Sequence, residues 1–266
     1  MASNRLSTAA FAVLVAATIA AFFVTQHLKV TTPLLTGYPR PVPGVINPLH
    51  GVACGGYNSG STTISFYLQH RADDVDVYVV NAATGDIVRT VASGRHMRRG
   101  VRIPDGVFHW NGREDNGSVA PDGSYYFRAA LRQQGATIPL NEPQQLVKVK
   151  TTTPHPMVVS VSPQVIPSAT GRRNVTIRYA GNENRGGTIL IYRTDVPGGS
   201  RLVKTFLTPW KGQTAVWDGT ILGRPAPAGT YLVGIEVTDA ACNTGRWPPR
   251  LPPSPAAVAR AGMTVQ

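Results

Sequence analysis

Apolar and polar residues alternate with a period of two along most of this chain. In Thr62–Leu68, Ile64, Phe66 and Leu68 share one face; in Val75–Val80, Val75, Val77 and Val79 share one while Asp76 and Tyr78 point away. The same alternation returns in Asp86–Val91, Gly123–Leu131, Leu146–Lys150, Asn174–Tyr179, Gly187–Thr194, Leu202–Phe206 and Thr230–Thr238. Short alternating runs separated by Gly, Pro, Asn and Asp predict half-buried antiparallel strands. Between two of them, Gly94–Arg102 reads as a basic loop.

One stretch occurs twice. Phe108–Arg132 reads as a strand ending on Trp110, a polar Gly/Asn/Asp loop, a Pro-Asp-Gly turn and a long alternating strand. Val216–Asp239 repeats it. Trp217 matches Trp110, Asp218-Gly219 matches Asn111-Gly112, and Pro227-Ala228-Gly229-Thr230-Tyr231 matches Pro121-Asp122-Gly123-Ser124-Tyr125. Tyr231, Val233, Ile235 and Val237 follow Tyr125, Phe127, Ala129 and Leu131 at a constant offset and in the same phase. A one-residue slip would turn every apolar side chain to solvent, so the pattern predicts a tandem duplication of one all-β unit. Gly123 and Gly229 are expected at positive φ in their turns. The acidic Glu114-Asp115-Asn116 and His109 have no counterpart in the second copy.

The repeated residues carry a resemblance. Trp110-Asn111-Gly112-Arg113, Asp115-Asn116-Gly117 and Pro121-Asp122-Gly123 with Tyr125 resemble the signature of the Ig-like domain of flagellar hook-assembly (FlgD-type) proteins and of many bacterial surface proteins. Thr238–Asn243 is similar to a family ending in which Gly precedes the Asn; here Cys242 stands in that place. The resemblance implies a non-catalytic β-sandwich, commonly a spacer or accessory unit in exported proteins, and is specific for a fold module rather than for an activity.

The flanks complete the expected organisation. Ser7–Thr25 holds no charge and would span ~28 Å as a helix, close to the hydrocarbon core of a bilayer. Residues 1–30 are therefore expected to be an uncleaved signal-anchor, with secretion after cleavage near Ala17 or Ala20–Ala21 as the alternative. Residues 31–50, with five prolines, are expected to be an extended spacer. Sandwiches are expected over 51–150 and 157–247, joined by the linker 151–156, with a Pro-rich tail over 248–266. The fold expected is all-β: two tandem Ig-like, fibronectin-III-like antiparallel sandwiches behind one transmembrane helix.

Composition narrows the function. The 42% apolar content allows a core, while 27 glycines and 22 prolines favour turns over long helices. A net charge of +12 suggests acidic partners: other cell-envelope proteins, or anionic wall or lipid polymers. No helix-turn-helix, zinc-finger or RNP pattern accompanies the charge, so nucleic acid is not expected. No G-x-S-x-G, H-E-x-x-H or phosphate loop is present; His109 alternates with Phe108 and Trp110 on a strand, and the Glu114–Asn116 loop with Asp122 lacks the spacing of a calcium loop. No catalytic, cofactor-binding or metal-binding residue is assigned, and no enzyme is expected. Cys54 and Cys242 could pair in an exported protein, but only if the two domains folded back side by side; otherwise the thiols are free or intermolecular. The expected role is a membrane-anchored structural, scaffold or interaction ectodomain outside the cytoplasm. The alternative is the accessory region of a longer or partner-associated cell-surface enzyme, favoured by the strand-like run Ala257–Val265 after the prolines.

Overall fold

The computed structural model describes residues 2–31, 33–168, 173–182 and 186–266, with the side chains of the first helix described over 10–25. After that helix, Ala2–Thr31, strands dominate, and they form two β-sandwiches with separate cores. The alternation explains why. In the first sandwich Asp73–Asn81 pairs with Gly123–Leu131 so that Val79 faces Phe127 and Val77 faces Ala129. All four are fully buried. Ile87–Met97 extends this sheet on one side and Val147–Val149 on the other. Thr62–Ser65 pairs with Val107–Trp110 across the core, burying Ile64, Phe108 and Trp110.

The second sandwich repeats the plan. Thr188–Arg193 lies between Arg201–Leu207 and Gly229–Thr238. Met157–Ser162, Val175–Ala180 and Thr214–Trp217 form the facing sheet. Val175, Ile177, Tyr179, Tyr231, Val233, Ile235 and Val237 are buried, as the period-two pattern requires.

The repeat is also geometric. Trp110 Nε1 donates to the Arg113 carbonyl and Trp217 Nε1 to the Thr220 carbonyl, both at 2.9 Å. Tyr125 donates its hydroxyl hydrogen to the Pro121 carbonyl (2.8 Å) and Tyr231 to the Pro227 carbonyl (2.7 Å). Gly112 and Gly219 take φ of 68° and 70°. A Cβ on Gly112 would sit 2.1 Å from Pro48 Cγ, so both φ and space demand glycine there. Gly229 has φ 151° as expected, with Asp195 Oδ2 2.3 Å from where its Cβ would lie. Gly123 differs: its φ is not positive, and a Cβ there would meet only ordinary contacts.

Three expectations need correcting. Residues 31–50 are not a free spacer. Val45–Ile46 pairs in parallel with Val147–Val149, Leu35–Thr36 pairs with Tyr67–Leu68, and Leu35 and Ile46 are buried in the first core. Prolines are tolerated at such edges because they remove donors the ladder does not need. The tail 248–266 is likewise structural. Ser254 caps the helix Pro255–Ala261, accepting from Ala257 N. Gly262–Val265 then pairs antiparallel with Gly229–Leu232 and parallel with Val165–Ile166. It is thus the second sandwich's counterpart of Val147–Val149. The basic loop 94–102 is partly strand, since Ile87–Met97 continues through Met97. The expected transmembrane helix is not shown: among the described residues no helix is long and apolar enough to cross a membrane. The Ser7–Ala9 side chains of the expected span lie outside the described residues, whereas Phe11, Leu14, Phe22 and Phe23 are described and exposed.

Candidate functional site

A network of buried polar groups lies where the two sandwiches meet. The linker leaves the first sandwich under the grip of Asp122, whose carboxylate accepts from the Thr151 and Thr152 backbone N–H groups and both their hydroxyls, three of these bonds at 2.7 Å. It then runs against the second sandwich so closely that a Cβ on Gly245 would sit 1.8 Å from the Pro154 carbonyl oxygen.

Beside the linker is the loop Asp239–Asn243. Asp239 Oδ1 accepts from Ala241 N (2.8 Å) and Asn243 N (2.9 Å), which shapes the loop. Its other oxygen lies 3.2 Å from Lys150 Nζ and accepts from Asn243 Nδ2 at 3.1 Å. Asn243 Nδ2 also reaches the Lys150 carbonyl (3.1 Å), while Asn243 Oδ1 accepts from Asn47 Nδ2. Asn47, Asp239 and Asn243 are all buried. Two residues of each sandwich thus share one network, and each buried polar group in it has partners, as burial requires.

The disulfide Cys54–Cys242 joins the same ends, with Cα atoms 5.8 Å apart. No side-by-side fold-back is needed. Cys54 lies on the hairpin Ala53–Cys54/Tyr57–Asn58, and Asn47 N bonding Ser59 O, with Lys150 N bonding Ile46 O, returns that segment to the exit of the first sandwich. Position along the chain was a poor guide to position in space because the first sandwich's entering strand lies beside its last. Cys242 has φ 60°, the left-handed conformation that suits the glycine of the resembled pattern. The sequence flagged Thr238–Asn243 only through that resemblance. Lys150 and Asn47 gave no signal, although the residue following the matching Ile166 is Pro167, so the junction uses a position that does not recur.

The acidic loop does structural work. Asp115 accepts from Thr90 N and pairs with Arg89, and Asn116 Nδ2 donates to Glu114 Oε2. Asp122 lies apart from it, bonded to Thr151 and Thr152 of the linker. His109 Nδ1 is 2.7 Å from the Thr63 hydroxyl and the side chain is exposed. Among the described residues no group of His, Cys, Asp and Glu is arranged to hold a metal ion. A groove of ≈ 630 Å³ runs between the Pro252–Pro253 segment with the helix Pro255–Ala261 and the strand Gly229–Thr238. Its lining is uncharged.

Three carboxylates give the first sandwich a defined acid response. Arg132 holds Asp76 below the usual carboxylate range, against burial, with Gly94 N–H assisting. Burial raises Asp73 and Asp122, but the bonds from Gln133 and Gln134, and from Thr151 and Thr152, outweigh it and lower both. A depressed folded value means the stabilisation is present above the ordinary carboxylate value and lost as pH falls through the folded one. Acid denaturation followed by circular dichroism is therefore expected to show stability falling below about pH 4, with a shallower fall in Asp76→Asn/Asp122→Asn. An unchanged slope in that variant contradicts the assignment.

The model of the FlgD Ig-like domain matches residues 56–135, a range that lies inside the first sandwich. The basal-body rod modification proteins FlgD of Salmonella typhimurium and Salmonella typhi are each 31% identical over 128 residues, covering 48% of this chain and 51% of theirs. The chain thus spans about half the length of the curated relatives it matches. Among solved structures, dimeric latent PorU from Porphyromonas gingivalis aligns at 13% identity over 77% of this chain and 18% of its own, with a TM-score of 0.28. A marsupial T cell receptor aligns at 9% over 87% and 73%, with a TM-score of 0.39. Likenesses that loose carry no argument about this chain. The family match and the repeated Trp–Gly–Tyr geometry agree on one point: residues 56–135 are similar to the FlgD Ig-like domain.

Proposed function

We propose that the chain is an extracytoplasmic scaffold or interaction ectodomain, tethered to the cytoplasmic membrane through its N-terminal helix and without catalysis of its own. The observation that carries this reading is the Cys54–Cys242 disulfide set across the junction. Disulfides persist in oxidising compartments, and this one fixes how two sandwiches are presented rather than closing a pocket. The FlgD-type domain supports a cell-envelope setting. The charge-free run Ser7–Thr25 and the exposed apolar side chains on its described part support the tether, with secretion after cleavage as its alternative. The polar groups of the acidic loop are occupied in local bonds, which supports a non-catalytic role. The accessory-enzyme reading loses the feature that favoured it, because Gly262–Val265 serves as a strand of the second sandwich.

Cell fractionation combined with thiol labelling tests the proposal. The protein is expected in the carbonate-resistant membrane fraction, with both cysteines blocked to maleimide until reduced and the C-terminal part open to external protease. Recovery in the cytosol with two reactive thiols overturns it.

A further inference from the structure

One end of the first sandwich receives the chain from the N-terminal helix. Leu35 is fixed there by pairing with Leu68, and the helix ends at Thr31. Four extended residues reach at most about 14 Å, so this end stays close to the helix whatever angle the helix takes. The segment after Met97 folds onto the same place: Gly100 N donates to the Leu68 carbonyl (3.0 Å), and Arg99 forms a bridge with Leu68.

The charges at this end are unevenly matched. Each carboxylate is occupied: Asp105 by Arg98, Asp76 by Arg132, Asp74 by His96, and buried Asp73 by Gln133 and Gln134. Arg71, Arg95, Arg99 and Arg102 are exposed and have no carboxylate partner among the described residues. Neutral groups position three of them without cancelling their charge. Arg71 donates to the Gln133 carbonyl, Arg102 to the Ser65 hydroxyl, and Arg95 lies 4.9 Å over the Phe108 ring. Beside Arg102, Ile103 is 74% exposed.

We propose that this arginine-rich end is a contact surface for anionic lipid headgroups, which seats the first sandwich on the bilayer that holds the helix. The proposal rests on the tether reading for its proximity. Charge complementarity supplies the attraction, which acts within a Debye length of the surface. An isoleucine among arginines suits the boundary between headgroups and acyl chains, where arginine stems and an aliphatic side chain are both accommodated. The exposed Ile103 is what favours a bilayer over a soluble polyanion.

Hydrogen exchange of the full chain in nanodiscs tests this. On discs containing phosphatidylglycerol, exchange across residues 95–106 is expected to slow by about tenfold or more relative to phosphatidylcholine discs. The slowing should vanish in 0.5 M salt and in Arg99→Glu/Arg102→Glu, while Gly123–Leu131 stays unchanged as a folding control. Equal exchange on both discs, with the chain incorporated, overturns the lipid contact and leaves the tether standing. Failure to incorporate into either disc overturns the tether and the proximity with it. Equal slowing on phosphatidylcholine discs by inorganic phosphate identifies a simple anion site, and by polyglutamate a polymer site; either result overturns the proposal.

Discussion

Trp110→Ala is expected to remove about 3–5 kcal/mol from the first sandwich, and Trp217→Ala the same from the second. Each indole is 1% exposed and among the largest fully buried side chains of the protein. The loss has several parts. The cavity left by an indole cannot collapse, because the surrounding strands are held by their ladders. The tyrosine ring that packs on the indole, with centroids 5.1 Å apart in the first sandwich and 6.0 Å in the second, loses its partner. The carbonyl of Arg113 or Thr220 loses the indole N–H. Against a domain stability of about 5–15 kcal/mol this is a large fraction. Because the two cores are separate, the damage should stay in the mutated sandwich. Exchange mass spectrometry in urea reads each sandwich by its own peptides. Trp110→Phe should cost less, since it keeps a ring in the site and loses chiefly the N–H bond. Unchanged protection of Asp73–Asn81 in Trp110→Ala would falsify the core assignment.

That core was legible in the sequence because it rests on local periodicity. Val75, Val77 and Val79 declare their face through their spacing, and Tyr125 through Leu131 gain weight from a second copy in phase. The segments misread were those whose fate is decided by distant partners. Val45–Ile46 sits among prolines and becomes a strand only because Val147–Val149 offers a parallel edge. Gly262–Val265 follows a proline run and a short helix, yet completes the second sheet by pairing with Gly229–Leu232. No local pattern encodes such pairings. The junction was illegible for a related reason: Asn47, Lys150, Asp239 and Asn243 each look like ordinary surface polar residues, and only the meeting of two domains buries three of them. Repetition marked what a sandwich needs, and Asn47 and Cys242 fall outside it.

Opening the disulfide should lower the stability of both sandwiches at once. A bond with a sequence separation of 188 suggests one very long loop. Yet Cys54 and Cys242 both sit at the linker end of their domains, so the bond closes a separate loop for each. If only one sandwich unfolds, roughly 90 residues remain tethered at both ends, which the chain-entropy account values at about 4–5 kcal/mol. Each sandwich therefore carries nearly the full stabilisation, and reduction should shift both exchange transitions in urea rather than one. Cys54→Ser/Cys242→Ser should behave as the reduced protein does. The polar network should still hold the domains together there. Adding Asp239→Ala to that double variant strips Lys150 and Asn243 of their buried acceptor, so further loss is expected. Position 242 supplies an internal control. Serine keeps the strain of φ 60° whereas glycine does not, so Cys54→Ser/Cys242→Gly should be more stable than Cys54→Ser/Cys242→Ser by about 1 kcal/mol. If reduction moves only one transition, the bond constrains a single domain and the junction does not clamp two. If glycine and serine are equivalent, the loop has relaxed out of the left-handed conformation once the sulfur bond is gone.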